Sequence, residues 1–245
     1  MLKYYEELTN QQLIDGFVDQ YLTDEGWLAS IERRESLNTV GPVPWITYPA
    51  LKMLEQIVKS EHRVFEYGAG NSSLWWSSRV AEIVTVEHDE DWHSEILERS
   101  GPQNCVLHVP IDAPIEPAVA AALKPFFDSG IDEEPGPDPA QNLRAGRLSA
   151  PFSAFAATLL NYPDGYFDII VVDGMARVLT AWLAARRVNP DGFIVFDNSD
   201  RDFYQAGYDA LTEAGFRRID FWGPGPINPY GWCTSIFTKN IGVFA

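Results

Sequence analysis

A glycine-rich turn follows the apolar residues 63–67 and leads directly into a helix that begins near Ser72. The turn is Gly68-Ala69-Gly70, and Glu66 precedes its first glycine by two residues. Glycine lets a backbone approach a ligand closely, and the free N–H groups at the start of a helix bind polar ligand groups. The feature predicts a strand, turn and helix with a ligand site at the turn.

Short apolar runs alternate with helical stretches from residue 63 onward, which is typical of strand–helix–strand units around a parallel sheet. The predicted strands are residues 63–67, 83–87, 105–109, 167–172 and 193–196, and the clearest helices between them are 178–188 and 203–214. Two further strands, 216–222 and 232–238, are joined by a connection too short for a crossover helix. We therefore expect them to be antiparallel.

Residues 1–62 are predicted to form an N-terminal helical cap on a core of residues 63–245. A helix over 9–22 opens with Thr9 and Gln12 in capping-box spacing and carries an apolar stripe, and a second helix is predicted over 47–58. The stripe suits a lid or a homodimer interface equally well. A proline-rich segment, 110–151, is predicted to be an irregular insertion of the kind that forms lids or substrate-binding loops.

The charge balance limits the class of partner. With 18 Lys and Arg against 35 Asp and Glu, the formal net charge is −17, so DNA or RNA would meet a repulsive mean field. No signal-peptide pattern or membrane-length apolar run is visible, so we expect a soluble, cytoplasmic protein with no membrane partner.

A second acidic residue, Glu87, ends the next predicted strand, 21 residues after Glu66. A carboxylate there is placed to accept hydrogen bonds from two ribose hydroxyls. The turn lacks the third glycine that a dinucleotide needs, since that position is Ser73, and Glu66 would repel a pyrophosphate but attract an ammonium group. The alternative is that both acids are merely polar strand ends.

Residues 63–201 resemble the core of class I S-adenosylmethionine-dependent methyltransferases. The family's glycine-rich motif is matched by Glu66, Gly68, Gly70 and Ser72, and its acidic second-strand end by Glu87. Residues 167–173 match its fourth strand, which has an Asp at the tip, and residues 189–193 match the Pro-x-Gly entry to its fifth. The resemblance implies a Rossmann-like, doubly wound α/β fold whose seven-stranded sheet is mostly parallel with one antiparallel strand.

The same resemblance implies S-adenosylmethionine as the cofactor and a small molecule as the methyl acceptor, with transfer to oxygen favoured. Glu66 and the turn would hold the methionine moiety, Glu87 the ribose, and His88 would flank the adenine. The implied cofactor-binding residues are Glu66, Gly68, Ala69, Gly70, Asn71, Ser72, Glu87 and His88. Asp173 is the implied catalytic residue: it would orient the acceptor, accept its proton or bind a cation. The alternative is that it caps the turn that follows.

Asp173, Asp197 and Asn198 are predicted to converge at one sheet edge, because the first ends the fourth strand and the others end the fifth. They resemble the Asp, Asp and Asn that hold Mg²⁺ in catechol-type O-methyltransferases, and oxygen ligands suit that ion. That family carries a Lys three residues after its first Asp, whereas this chain has Ala176. The alternative is a site without metal in which Asp197 and Asn198 cap the following helix.

Two other functions are compatible with these features. One is a nicotinamide-dependent oxidoreductase, which Glu66 and Ser73 disfavour. The other is a methyltransferase-like domain that binds or regulates without catalysing a reaction.

Overall fold

The computed structural model describes residues 8–101, 104–131 and 148–244, and their strands form one seven-stranded sheet. The strands are β1 Arg63–Tyr67, β2 Glu82–Glu87, β3 Asn104–His108, β4 Phe167–Val172, β5 Val188–Asp197, β6 Arg217–Gly223 and β7 Trp232–Thr238. Their order is β3-β2-β1-β4-β5-β7-β6, and β7 is antiparallel to both of its neighbours. The predicted mixed sheet with one reversed strand is confirmed.

Helices cover both faces of this sheet. The longer ones are α1 Asn10–Phe17, α2 Trp27–Arg33, α3 Tyr48–Ile57, α4 Asn71–Ser77, α5 Glu90–Arg99, α6 Pro117–Asp128, α7 Ser153–Ala157, α8 Arg177–Arg187 and α9 Gln205–Glu213. Alternate residues of a strand point to opposite faces. In β4, Ile169 and Val171 join the buried cluster that contains α3, while Ile170 and Val172 join the cluster that contains α8. This two-sided burial is why β4 is apolar from Ile169 to Val172.

The N-terminal segment contacts the sheet through helix α3. Leu51 and Leu54 of α3 are buried in the same cluster as Val64 of β1, so α3 packs directly on the sheet. The predicted capping box between Thr9 and Gln12 is present at the start of α1. The stripe on α1 is exposed in the described structure, with Phe17 53% accessible, and a five-residue π-helical turn, Val18–Leu22, continues the helix.

The segment 110–151 was predicted to be irregular, but part of it is a helix. Helix α6 occupies Pro117–Asp128 and buries Leu123 and Phe126 against the core. Pro117 lies in its first turn, where the missing N–H of proline costs nothing. Residues 132–147 of the predicted insertion lie outside the described residues.

No helix in the described ranges is both long and apolar enough to cross a membrane.

Candidate functional site

A cavity of about 630 Å³ opens at the carboxyl ends of β1, β2, β4 and β5. Ligands of α/β proteins bind in this position, outside the strand ends where the chain connections diverge. Its walls come from the turn at 68–72, the residues after β4 and β5, the connection at 227–232, and the N-terminal residues 34–36 with Trp45. Every predicted site residue except Glu66 lines this cavity.

The backbone at the end of β1 passes so close to the backbone at the end of β4 that only glycine fits at position 68. Its φ is +91°, and a Cβ placed on it would lie 3.0 Å from the Cα of Gly174. A Cβ on Gly174 would in turn lie 2.8 Å from the carbonyl carbon of Tyr67. The two glycines thus bring the first turn and the Asp173 tip together at the cavity floor.

Glu66 lies behind the turn and is fully buried. Its Oε2 accepts hydrogen bonds from Ser73 Oγ at 2.5 Å and Thr85 Oγ1 at 2.9 Å, and Ser73 Oγ accepts from the Gly70 N–H at 3.1 Å. Its Oε1 has no partner among the described residues. Burial raises the pKa of Glu66 to about 7. Glu66 therefore supports the turn through Ser73, and its contact with a methionine moiety stays a prediction.

Glu87 faces the cavity and is held by donors on both oxygens. Its Oε2 accepts from the Ala69 N–H at 2.9 Å, while its Oε1 accepts from the N–H groups of His88 and Asp89 and lies 2.7 Å from His88 Nδ1. Burial alone would raise the pKa of Glu87, but these bonds outweigh burial and lower it. Oε2 has a single donor and can accept another hydrogen bond from a ligand.

Asn71 joins the turn to the N-terminal segment. Its Nδ2 donates to Glu35 Oε1 at 3.1 Å and to the Ser36 carbonyl at 2.8 Å, while its Oδ1 accepts from Arg99 Nη2 at 2.7 Å. Arg99 also pairs with Glu35 at 2.7 Å. The side-chain groups of Asn71 are thus bonded to protein, which leaves it a positioning role beside the cavity.

Asp173, Asp197 and Asn198 do converge, but the cation between the two strand tips is Arg177. Its Nη2 donates to Asp173 Oδ1 at 2.9 Å, and its Nη1 donates to Asn198 Oδ1 at 3.0 Å and to the Asp197 carbonyl. Its remaining N–H groups bond the carbonyls of Gly174 at 3.0 Å and Asp173 at 3.3 Å. All five guanidinium donors are used.

The predicted Mg²⁺ site is therefore not supported. The Asp197 side chain accepts hydrogen bonds on Oδ1 from Trp232 Nε1 and Thr234 Oγ1, and Asp173 and Asn198 bond the guanidinium. A metal would have to displace a buried, fully bonded cation. Among the described residues no cluster of three or more His, Cys, Asp or Glu has the geometry to hold a metal ion.

Asp173 retains one free acceptor. Arg177 bonds its Oδ1, and no described donor bonds its Oδ2. Burial and the neighbouring Asp197 raise the pKa of Asp173 well above its ordinary value, while Arg177 opposes that shift. A carboxylate with a raised pKa and an open oxygen has the properties of a general base.

Several cavity residues were not predicted. Arg34 and Trp45 come from a segment without a motif, and Ile227 comes from the connection before β7. Trp92 lies on α5, lines the cavity and donates from Nε1 to the Ala69 carbonyl at 2.7 Å. Arg34 and Ile227 have left-handed backbone conformations, with φ of 54° and 67°, and only the folded structure reveals them.

No protein-family model matches the chain, and no curated protein matches its sequence. A precorrin-6y C5,15-methyltransferase from Geobacter metallireducens has a similar structure, with a TM-score of 0.53 and 12% identity over 86% of this chain and 96% of that one. At this identity the likeness shows a shared Rossmann-like fold and no more.

Two further solved structures resemble the chain more weakly. A spermidine synthase from Thermotoga maritima has a TM-score of 0.47 and 10% identity over 79% of this chain and 59% of that one. A TehB-like SAM-dependent methyltransferase from Corynebacterium glutamicum has a TM-score of 0.45 and 11% identity over 77% and 86% of the two chains. The chain thus spans 59% of the length of the spermidine synthase.

Proposed function

We propose that this protein is an S-adenosylmethionine-dependent methyltransferase that acts on a hydroxyl oxygen of a small molecule. One observation carries the proposal: the glycine turn, Glu87 and Asp173 open into a single cavity at the carboxyl ends of the strands. The resemblance of the sequence to class I methyltransferases implies this arrangement.

The cavity offers complementary groups for the cofactor. Glu87 Oε2 has capacity for a ribose hydroxyl, and the Gly68-Ala69-Gly70 turn carries no side chain larger than the methyl group of Ala69, so a ligand can approach its backbone. His88 is partly exposed beside Glu87, where an adenine would lie. When bound, S-adenosylmethionine supplies an electrophilic methyl group on a sulfonium sulfur.

The chain's own residues would orient the acceptor and take its proton. Asp173 is held by Arg177 and the β4 tip, so its open Oδ2 is fixed in direction. An acceptor hydroxyl that donates to this oxygen would be aligned for in-line attack and would pass its proton to the carboxylate. This role needs neither a metal nor a lysine at position 176.

Titration calorimetry with S-adenosylmethionine and S-adenosylhomocysteine tests the cofactor half of the proposal. We expect a micromolar dissociation constant for both and no heat with NADH. NADH binding in place of S-adenosylmethionine would favour an oxidoreductase.

Turnover of hydroxylated acceptors, with and without EDTA, tests the other half. We expect methylation that is insensitive to the chelator. Cofactor binding without methylation of any acceptor would favour a non-catalytic binding module.

A further inference from the structure

The acidic groups of the cavity are all bonded to protein donors. Glu35 pairs with Arg99, and Glu87 with His88 and backbone amides. Asp173 pairs with Arg177, and Asp197 accepts from Trp232 and Thr234. Although the chain carries a net charge of −17, its carboxylates do not present an unpaired cluster to a ligand here.

Two basic groups of the cavity are different. Arg34 and Arg201 line it, and no carboxylate of the described residues forms a salt bridge with either guanidinium. Arg34 lies next to Glu35 and Ser36, both of which bond Asn71, so it belongs to the half that contains the glycine turn. Arg201 follows β5 and belongs to the other half, with Asn198 and Tyr204.

The backbone that carries Arg201 is held firmly although its side chain is exposed. The Arg201 N–H donates to the Asn198 carbonyl at 3.2 Å, and Tyr208 Oη donates to the Arg201 carbonyl at 3.1 Å. The preceding carboxylate, Asp200, accepts from the Cys233 N–H at 3.2 Å and is thereby tied to β7. A fixed turn thus presents to the cavity a guanidinium that lies over the Phe203 ring, 5.9 Å from its centroid, and forms no salt bridge with a described carboxylate.

Two residues of this half have a left-handed backbone conformation, as Arg34 has in the other half. Asn198 has a φ of 55° and Ile227 a φ of 67°, and both line the cavity. The left-handed region is unfavourable for a β-branched residue, and such a conformation persists where surrounding structure enforces it, often at ligand sites. Arg201 is also close enough to Asp173 to lower the pKa of that carboxyl.

We propose that the methyl acceptor is a small organic monoanion whose carboxylate is bound by Arg201, beside Asn198 and Ile227, with its hydroxyl directed to Asp173. This inference rests on the proposed function, which assigns the half of the cavity with the glycine turn to the cofactor, and Arg34 lies in that half. A planar guanidinium matches a carboxylate with two parallel hydrogen bonds. A phosphate dianion is disfavoured because it would face a single free arginine in an acidic protein.

Calorimetry at saturating S-adenosylhomocysteine tests the inference with matched acids and amides. The pairs are acetate and acetamide, benzoate and benzamide, and 4-hydroxybenzoate and 4-hydroxybenzamide, and phenyl phosphate is the competing anion. For at least one pair we expect the acid to bind at least about tenfold more tightly than the amide, because a charged hydrogen bond is lost in the amide. Arg201→Met should remove this preference, whereas Arg217→Met, an exposed arginine on β6, should keep it.

The outcomes separate the two proposals. Unchanged S-adenosylhomocysteine affinity in Arg201→Met shows that the variant is folded. If the cofactor product binds but no acid exceeds its amide, or the preference survives in Arg201→Met, the inference is wrong. Tighter binding of phenyl phosphate than of benzoate would also overturn it. Failure of S-adenosylhomocysteine to bind the parent protein would instead refute the proposed function.

Discussion

The carboxylates at the two sides of the cavity have different kinds of bonding partner. At the ends of β1 and β2, Glu66 and Glu87 are bonded by hydroxyls, backbone N–H groups and His88, and no described arginine or lysine pairs with either. At the ends of β4 and β5, Asp173 and Asp197 surround the buried guanidinium of Arg177.

The difference indicates what each half can accept. No described arginine or lysine offsets the carboxylate of Glu87, which suits the hydroxyl groups of a cofactor. The second half contains its own cation, so it does not need a metal ion to bring its strand tips together. The following predictions test this contrast, beginning with the largest expected effect.

Replacing Arg177 with Met should destabilise the fold by about 3–5 kcal/mol, because the change removes one partner of a buried ion pair and leaves several carbonyls without donors. Urea unfolding measures the loss. Arg186→Met on the same helix, where the side chain is exposed and stacks on Trp182, should cost less than about 1 kcal/mol.

A second substitution tests how much of this loss is due to the unbalanced charge of Asp173. Asp173→Asn introduced into the Arg177→Met background should recover part of the lost stability, because it removes the carboxylate that the arginine balanced. Equal stability of Arg177→Met and the parent would show that the second half is not organised around its own cation.

Gly68→Val should abolish cofactor binding, with at least about a hundredfold loss of affinity, because a β-branched residue is strained at a φ of +91° and its Cβ would meet Gly174. Calorimetry with S-adenosylhomocysteine measures the loss. Gly101→Val is the matched control, since a Cβ at Gly101 meets nothing within 4 Å. Normal binding by Gly68→Val would mean that the turn does not form the cofactor site.

The buried charge of Glu66 should make the protein less stable as pH rises. Glu66 ionises near its ordinary pKa of 4.5 in the unfolded chain and near 7 in the folded protein. The folded state therefore holds an extra proton between these values, and stability should fall by about 3 kcal/mol from pH 4.5 to pH 7 and then level off.

Urea unfolding of the parent and of Glu66→Gln across this pH range measures the effect. The variant keeps an acceptor for Ser73 and Thr85 without the charge, so the decline attributed to Glu66 should vanish. Glu61→Gln, at an exposed position, should retain it. A parent and a Glu66→Gln variant with the same pH dependence would contradict the prediction.

Glu87→Gln should weaken cofactor binding about tenfold, since a neutral amide replaces a charged acceptor for the ribose. The loss is measured against Glu90→Gln, an exposed position on α5, whose affinity should equal that of the parent. The stability that the lowered pKa of Glu87 confers should be present above about pH 4 and lost as pH falls further, and the variant should lack this acid dependence.

The sequence predicted elements best where burial alone determines them. The bounds of β4 and β7 agree with the predicted strands, because each is a continuous run of residues buried on both faces. Strand β5 begins at Val188 instead of 193, since the turn-forming Pro190-Asp191-Gly192 is absorbed by a register shift opposite β4. Helix α6 was missed because its prolines were interpreted as loop signals.

The candidate site shows the same division. The turn and Glu87 were recognised from local sequence, because a strand, a glycine turn and an acid at the next strand end are close in the chain. The role of Arg177 was not, since its bonds join the ends of two strands and depend on side-chain direction. Spacing predicted that Asp173, Asp197 and Asn198 would meet, but it carried no information on which cation lies between them.

Hydrogen bonds beside the cavity connect the N-terminal segment to residues 224–228, which are synthesised much later. Trp27 Nε1 donates to the Asn228 carbonyl at 2.9 Å, and the Tyr48 N–H donates to the Pro224 carbonyl at 2.8 Å. Contacts over such separations carry a loop-closure cost and form late in folding. On the ribosome, strands β1 to β5 can pair before residues 224–232 emerge, so a partly made chain has most of its sheet but an incomplete cavity. The cavity is thus completed later than the strands that form its floor.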